Sequence, residues 1–147
     1  MSVRIISLAA ACALLSACAT PAPPVAPVPV AVAPACPAGG STMSKVELYF
    51  GLAIPGGGAV SKTEWQAFLD TEVTPRFPDG LSVEDVSGQW RDAATGKTVR
   101  EPSRRIMILY TPSAEAETKI EAIRTAYKTR FRQDSVMRLD ETDCVAF

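Results

Sequence analysis

The chain has 147 residues, 15 basic against 16 acidic, with no histidine anywhere. That absence removes Ser-His-Asp and Cys-His nucleophilic chemistry and most zinc hydrolase designs. A net charge of −1 gives no electrostatic footing for nucleic acid or an anionic membrane surface.

Met1–Val3 with Arg4 make a weakly positive start, and Ile5–Leu15 follow as an apolar run shorter than the ~20 residues a spanning helix needs. Leu15-Ser16-Ala17-Cys18 closes the run with small residues before a cysteine. Residues 1–17 therefore resemble a bacterial lipoprotein signal peptide. In such proteins the bond before the cysteine is cut, its thiol is diacylated and the freed amine is acylated, so Cys18 is expected to carry the lipid. Several acyl chains, at ~0.8 kcal/mol per buried CH₂, hold a protein firmly on a bilayer where one holds it only reversibly. Ala19, rather than Asp, after that cysteine favours the outer membrane, facing the periplasm. The alternative is an ordinary signal peptide cut at another small residue, with Cys18 a plain thiol.

Residues 18–40 are expected to be the lipidated cysteine and a tether. Thr20–Gly40 is so rich in Pro, Ala and Val that it favours extended polyproline II over any hydrogen-bonded ladder. At ~3.1 Å per residue it reaches up to roughly 60 Å from a lipid surface. It reads as a spacer, or else as a ligand for a proline-reading domain. With Cys12 lost in the signal and Cys18 lipidated, Cys36 and Cys144 remain, and in an oxidising compartment two thiols point to one disulfide. They are too few for a metal site.

Residues 41–147 form the folded domain, large enough for one small core. Val46, Leu48, Phe50 and Leu52 alternate with Glu47, Tyr49 and Gly51, the period of a strand. Pro55-Gly56-Gly57-Gly58 breaks it. Ser61-Lys62-Thr63-Glu64 has the spacing of a capping box, and Trp65, Phe68, Leu69 and Val73 follow as one helical stripe ended by Pro75 and Pro78. Asp79-Gly80 turns the chain into a second strand, Leu81 to about Arg91, whose alternation slips near Asp85–Gly88 and suggests a bulge. Thr95-Gly96-Lys97 reads as a hairpin turn, and Pro102 is expected to delay the third strand until Arg104–Tyr110. Its run Ile106-Met107-Ile108-Leu109 suits a central strand covered on both faces. Thr111-Pro112 fits a helix cap with proline in the first turn. Ala116, Ile120, Ile123, Tyr127 and Phe131 mark the inner face of that helix, and Glu117, Glu121, Arg124 and Lys128 its solvated side. Val136 to about Asp140 and Cys144–Phe147 form a last, interrupted strand.

The order β-α-β-β-α-β predicts an α+β, ferredoxin-like sandwich: a four-stranded antiparallel sheet with two helices on one face. First and last strands are then antiparallel neighbours, which brings Cys36 near Cys144. Linking ends so far apart stabilises the fold by ~4 kcal/mol in the chain-entropy model.

For a ligand, Arg76 and Arg91, each beside an aromatic residue, suit a carboxylate or phosphate clamp in a cleft with Tyr49 and Trp90. Alternatively the arginines stack on aromatic rings and pair with Asp79 and Asp92. The glycine run reads either as an anion cradle before a helix or as a plain turn, and lacks the Gly-Lys-Ser/Thr ending of a P-loop. Glu84 and Asp85, adjacent on a strand, point to opposite sides and make no acid-base pair. No catalytic residues, metal or cofactor are assigned.

The strings Leu48-Tyr49-Phe50-Gly51, Val73 to Gly80, Gly88-Gln89-Trp90-Arg91, Tyr127-Lys128-Thr129-Arg130-Phe131 and Cys144-Val145-Ala146-Phe147 together resemble the bacterial family of unknown function DUF3574 over nearly all of residues 46–147. The resemblance implies a secreted or lipid-anchored small α/β domain and carries over no activity. The expectation is a non-enzymatic envelope lipoprotein that uses its helix-free sheet face for a protein partner, a second copy of itself or a small ligand. The alternative is a small-ligand-binding protein or enzyme built on the Arg/aromatic cleft.

Overall fold

Strand β1, Ser41–Gly51, buries Val46, Leu48 and Phe50 completely on one face and turns Lys45, Glu47 and Tyr49 to the other. This two-residue alternation sets the whole architecture. The computed structural model describes residues 36–147, so the expected signal peptide, Cys12, Cys18 and the tether up to residue 35 lie outside the described residues. After β1 come α1 (Lys62–Phe68), a wider π-helical turn (Leu69–Val73), β2 (Ser82–Arg91), β3 (Thr98–Tyr110), α2 (Ala114–Phe131) and β4 (Met137–Val145). The sheet order is β2-β3-β1-β4 and every pairing is antiparallel. This is the ferredoxin-like arrangement the element order predicts.

The core lies between one sheet face and the helices. Val46, Leu48, Phe50, Ile106, Ile108 and Tyr110 meet Trp65, Phe68 and Val73 from the first helical segment and Ile120, Ile123, Tyr127 and Phe131 from α2. Phe50 packs edge-on against Tyr127 at 4.7 Å and Trp65 at 5.3 Å, within the range where aromatic pairs add to simple area burial. The Arg104 guanidinium closes this cluster, 5.3 Å over the Trp65 ring, with Nε 3.1 Å from Asp85 Oδ1 but without a hydrogen bond's angle.

Several local expectations are corrected. β1 starts at Ser41, not near Val46, because Ser41 and Thr42 pair with Val145 and Cys144 although their polar side chains show no alternation. β2 carries no bulge: its register against β3 runs without a break from Ser82↔Met107 to Arg91↔Thr98. The slip in hydrophobicity arises because β2 is an edge strand, where even the core-side Val83 is exposed. Pro102 does not delay β3 but sits within it. Its carbonyl accepts from Leu52 N at 3.0 Å, so its hydrogen-less nitrogen faces the same way, past the end of β1, and costs the β2 ladder nothing. The cap of α2 is Ser113, whose Oγ accepts from Ala116 N at 3.0 Å, rather than Thr111. β4 is continuous. The first helix keeps its predicted capping box and stripe but ends in the π turn, where Thr74 N reaches back to Leu69 O at 2.9 Å.

Cys36 and Cys144 form the expected disulfide, with Cα atoms 5.3 Å apart and a sequence separation of 108.

Candidate functional site

The two helices cover one side of the sheet, so the other is a floor of alternate residues. Across its middle, the Tyr49 hydroxyl donates to Glu47 Oε2 at 2.7 Å, and Arg105 bridges Glu47, at 3.2 Å, to Glu84, at 2.6 Å. The Tyr49 hydroxyl together with the Glu84 and Glu47 carboxylates holds the Arg105 guanidinium above its already high range, fixing its charge. Towards the other end Lys45 is paired with Glu141 and with Asp143, at 2.8 Å from the latter. Their hydrogen bonds likewise push the Lys45 ammonium upward. As expected, Glu84 and Asp85 face opposite sides, one reaching Arg105 and the other Arg104.

Beside the Tyr49 network the floor drops into a hollow of about 520 Å³. Two glycines make the drop. Gly88 on β2 lies opposite Glu101 of β3, and Gly51 on β1 lies opposite Ser103, the next residue of β3 on that face. A side chain at Gly88 would meet Trp90 Cζ3 at 4.0 Å, so the indole leans over the bare backbone. A Cβ at Gly51 would stand 2.6 Å from Glu101 Oε1, so the carboxylate occupies the space that glycine leaves. That oxygen also accepts from Ala53 N at 2.8 Å, which holds the carboxylate at the rim. Trp90, 47% exposed, and Met137, 52% exposed, stand at the edges, with Tyr49 between their strands and Asp134 on the loop into β4. The lining includes two acidic residues, Glu101 and Asp134, and no basic one. Among the described residues, none of the ion pairs involves either carboxylate.

The structure brings Tyr49 and Trp90 together here but not the two arginines expected with them. Arg76 lines a second hollow, of about 680 Å³, with Phe77, Tyr110 and Phe147, and pairs with Glu72 at 2.9 Å. Neither Asp79 nor Asp92 is its partner. Arg91 alternates to the helix side of β2, where its Nε donates to Gly96 O at 3.1 Å and holds the hairpin. Asp92 instead accepts from Thr95 N at 2.6 Å. The four residues therefore do not share one cleft, and no arginine clamp forms. The glycine run is a turn: Gly56, Gly57 and Gly58 all have positive φ, and Gly57 N and Ile54 N close it onto Ile54 O and Gly58 O. Helix α1 begins beyond it, already capped by Ser61.

Sequence reasoning missed Gly51, Gly88, Glu101, Ser103, Asp134 and Met137. Glycine inside a strand marks a close approach or a missing wall, and two of the quoted strings, Leu48–Gly51 and Gly88–Arg91, each pair such a glycine with an aromatic residue. They are joined only by register across β3. Among the described residues no group of three or more His, Cys, Asp or Glu is placed to hold a metal ion, and no helix is long and apolar enough to cross a membrane.

The model of the DUF3574 family, described as "Protein of unknown function", matches residues 45–147. The chain belongs to the DUF3574 family. Among solved structures, this DUF3574 domain is similar to a phage SAM lyase in complex with S-methyl-5'-thioadenosine. That match has a TM-score of 0.53 at 16% identity and covers 80% of this chain and 97% of the lyase. The apo phage SAM lyase matches with a TM-score of 0.49 at 21% identity, over 74% of this chain and 91% of that one. CutA from Synechococcus elongatus with Bis-Tris matches with a TM-score of 0.47 at 13% identity, over 73% and 87%. At these identities the likeness is one of fold. No curated protein matches the chain.

Proposed function

We propose that this DUF3574 chain is a lipid-anchored, non-enzymatic binding module of the bacterial cell envelope. Cys18 is its anchor, on the periplasmic face of the outer membrane, and the hollow floored by Gly51 and Gly88 is its binding site. The observation that carries the binding role is that hollow: about 520 Å³, a usual size for a small-molecule site, where Tyr49, Trp90, Val86 and Met137 stand among polar side chains such as Ser103 and Glu101. The anchor is supported by Leu15-Ser16-Ala17-Cys18 closing a short apolar run. A phage protein of similar fold holding S-methyl-5'-thioadenosine is consistent with small-molecule binding on such a scaffold.

The test is expression of the full chain beside Cys18→Ser and Gly88→Leu variants. The mature product is expected to begin at an acylated Cys18 by mass spectrometry and to move from membranes to the soluble fraction in Cys18→Ser; an unmodified amino terminus overturns the anchor. A small-molecule extract of the host is expected to raise the melting temperature of the parent chain but not of Gly88→Leu, which fills the hollow. No shift, or an equal shift in both, overturns the binding site.

A second reading rests on Met137 and Leu139, 52% and 46% exposed on the open face of β4, which favour coverage by a second copy of the chain. A monomeric mass in light scattering removes it.

A further inference from the structure

We infer that the ligand of the hollow is an organic cation: an onium group, such as a quaternary ammonium, carried on a body of metabolite size. This rests on the binding role proposed above and names its chemistry. The hollow holds Glu101 and Asp134 and neither lysine nor arginine. Every other acid of the open face that an ion pair engages, Glu47, Glu84, Glu141 and Asp143, has its cation supplied by Arg105 or Lys45. The carboxylates of the hollow are the ones left for a cation from outside.

The walls suit a particular kind of cation. A metal ion or a bare ammonium asks for several oxygen ligands or strong acceptors, whereas methylated onium groups have a diffuse charge and an apolar surface. Such groups are held by aromatic faces and a nearby carboxylate, each cation–π contact contributing about 0.5–2 kcal/mol. Trp90 leans over Gly88 on one strand, Tyr49 stands two strands away with its hydroxyl tied to Glu47, and the Met137 side chain closes the third side. Gly88 keeps the floor open, Gly51 makes room for the Glu101 carboxylate, and the Ala53 amide holds that carboxylate at the rim. An anion would meet two carboxylates with no counter-charge.

The experiment uses the full chain in dodecyl maltoside micelles, titrated with choline chloride and, separately, with its uncharged isostere 3,3-dimethylbutan-1-ol and with sodium acetate. The indole N–H signals report the result. Trp90 senses the hollow, while Trp65, 1% exposed in the core, serves as an internal control in the same spectrum. Choline is expected to shift the Trp90 signal saturably and to leave Trp65 in place, with an affinity that falls as salt rises. The neutral isostere should bind about fivefold or more weakly, and acetate not at all. Glu101→Gln, which keeps an acceptor for Ala53 N, should weaken choline by about fivefold or more at the Trp90 signal while Trp65 stays unmoved, showing an intact fold. Equal binding of choline and the alcohol, or preference for acetate, overturns the cationic class and leaves the binding role standing. No response to any probe, with the host extract still stabilising the chain, also overturns the class alone. No response to either overturns both.

Discussion

The Tyr127 hydroxyl donates to the carbonyl of Gly51 at 2.9 Å, bolting the last turns of α2 to the end of β1 across 76 residues of sequence. The ring is fully buried among Phe50, Trp65, Phe68 and Phe131, and burial pushes the phenol's pKa upward, the Glu101 charge adding to it. One side chain thus joins the core to the floor of the hollow. Tyr127→Phe keeps the packing and orphans the Gly51 carbonyl, so a loss of about 1–2 kcal/mol is expected in urea unfolding. The substitution also has a signature in alkali. A phenol whose pKa is raised by folding keeps its full stabilising effect below the ordinary value near 10 and loses it as pH rises through the higher folded value. The parent should therefore destabilise more steeply above about pH 10 than Tyr127→Phe, read from melting temperatures across that range.

Gly51 is also where a single methyl group has two effects. A Cβ there stands 2.6 Å from Glu101 Oε1, and the flexible carboxylate must swing away and release Ala53 N. Gly51→Ala is expected to cost about 1–2 kcal/mol for the lost bond. The Ala53 amide signal should move with it, while the Ser61 cap and the amides of α1 stay in place. An unchanged Ala53 amide would show that the carboxylate does not depend on the missing side chain.

The division between what was legible and what was not follows the range of the interactions. Alternation in Val46–Phe50 and the stripes of both helices report burial, which each residue experiences locally, so the element order and hence the β-α-β-β-α-β topology could be read directly. The Cys36–Cys144 pairing followed because the topology itself makes β1 and β4 neighbours. Edge and pairing effects were not legible: Ser41 and Thr42 join β1 through backbone bonds to β4, and Pro102 is tolerated because its nitrogen happens to face past the end of β1. The hollow failed for the same reason. Trp90 and Tyr49 could be nominated as residues, but that Arg91 alternates to the helix side, and that Gly51 and Gly88 flank one stretch of β3, depends on register.

The Cys36–Cys144 bond closes nearly the whole domain into one loop, with a sequence separation of 108. Constraining an unfolded chain over that length contributes ~4 kcal/mol in the loop-entropy model. For a domain of this size that is a large share of the usual 5–15 kcal/mol. Reduction by dithiothreitol, or the paired Cys36→Ser and Cys144→Ser substitutions, should lower the urea midpoint by a matching amount and leave the native spectrum of α1 and α2 unchanged. The first residues of β1, where Ser41 and Thr42 pair with Val145 and Cys144, should then lose amide-exchange protection before the centre of the sheet does. Equal stability of the oxidised and reduced chains would contradict this.

Acid should destabilise the domain through carboxylates held low in α1, the β2–β3 hairpin and α2, where Glu115 is lowered by Lys119. Glu64 is held below the ordinary range by the Ser61 side chain and then its backbone N–H, in the capping box of α1. Asp92 is lowered by the Thr95 hydroxyl and amide in the β2–β3 hairpin, and Glu121 chiefly by Arg124, with Arg138 of β4 adding to it. A carboxylate whose pKa is depressed by folding stabilises the native state above its ordinary value near 4, and that effect disappears as pH falls through the lower folded value. Melting temperature should therefore be flat at neutral pH and fall below about pH 4. Ser61→Ala should lower the melting temperature at neutral pH, because a cap is lost, and yet partly flatten the acid limb, because Glu64 loses the larger of the two Ser61 hydrogen bonds that hold it low and keeps the backbone one. Glu121→Gln should flatten the limb as well while weakening one of the two links from α2 to Arg138 of β4, where Nη1 stands 3.1 Å from Glu121 Oε1 and 2.9 Å from Glu117 Oε2. If both variants kept the parent's acid limb, the titrating groups would have to be sought elsewhere than at the helix cap and the α2–β4 contact.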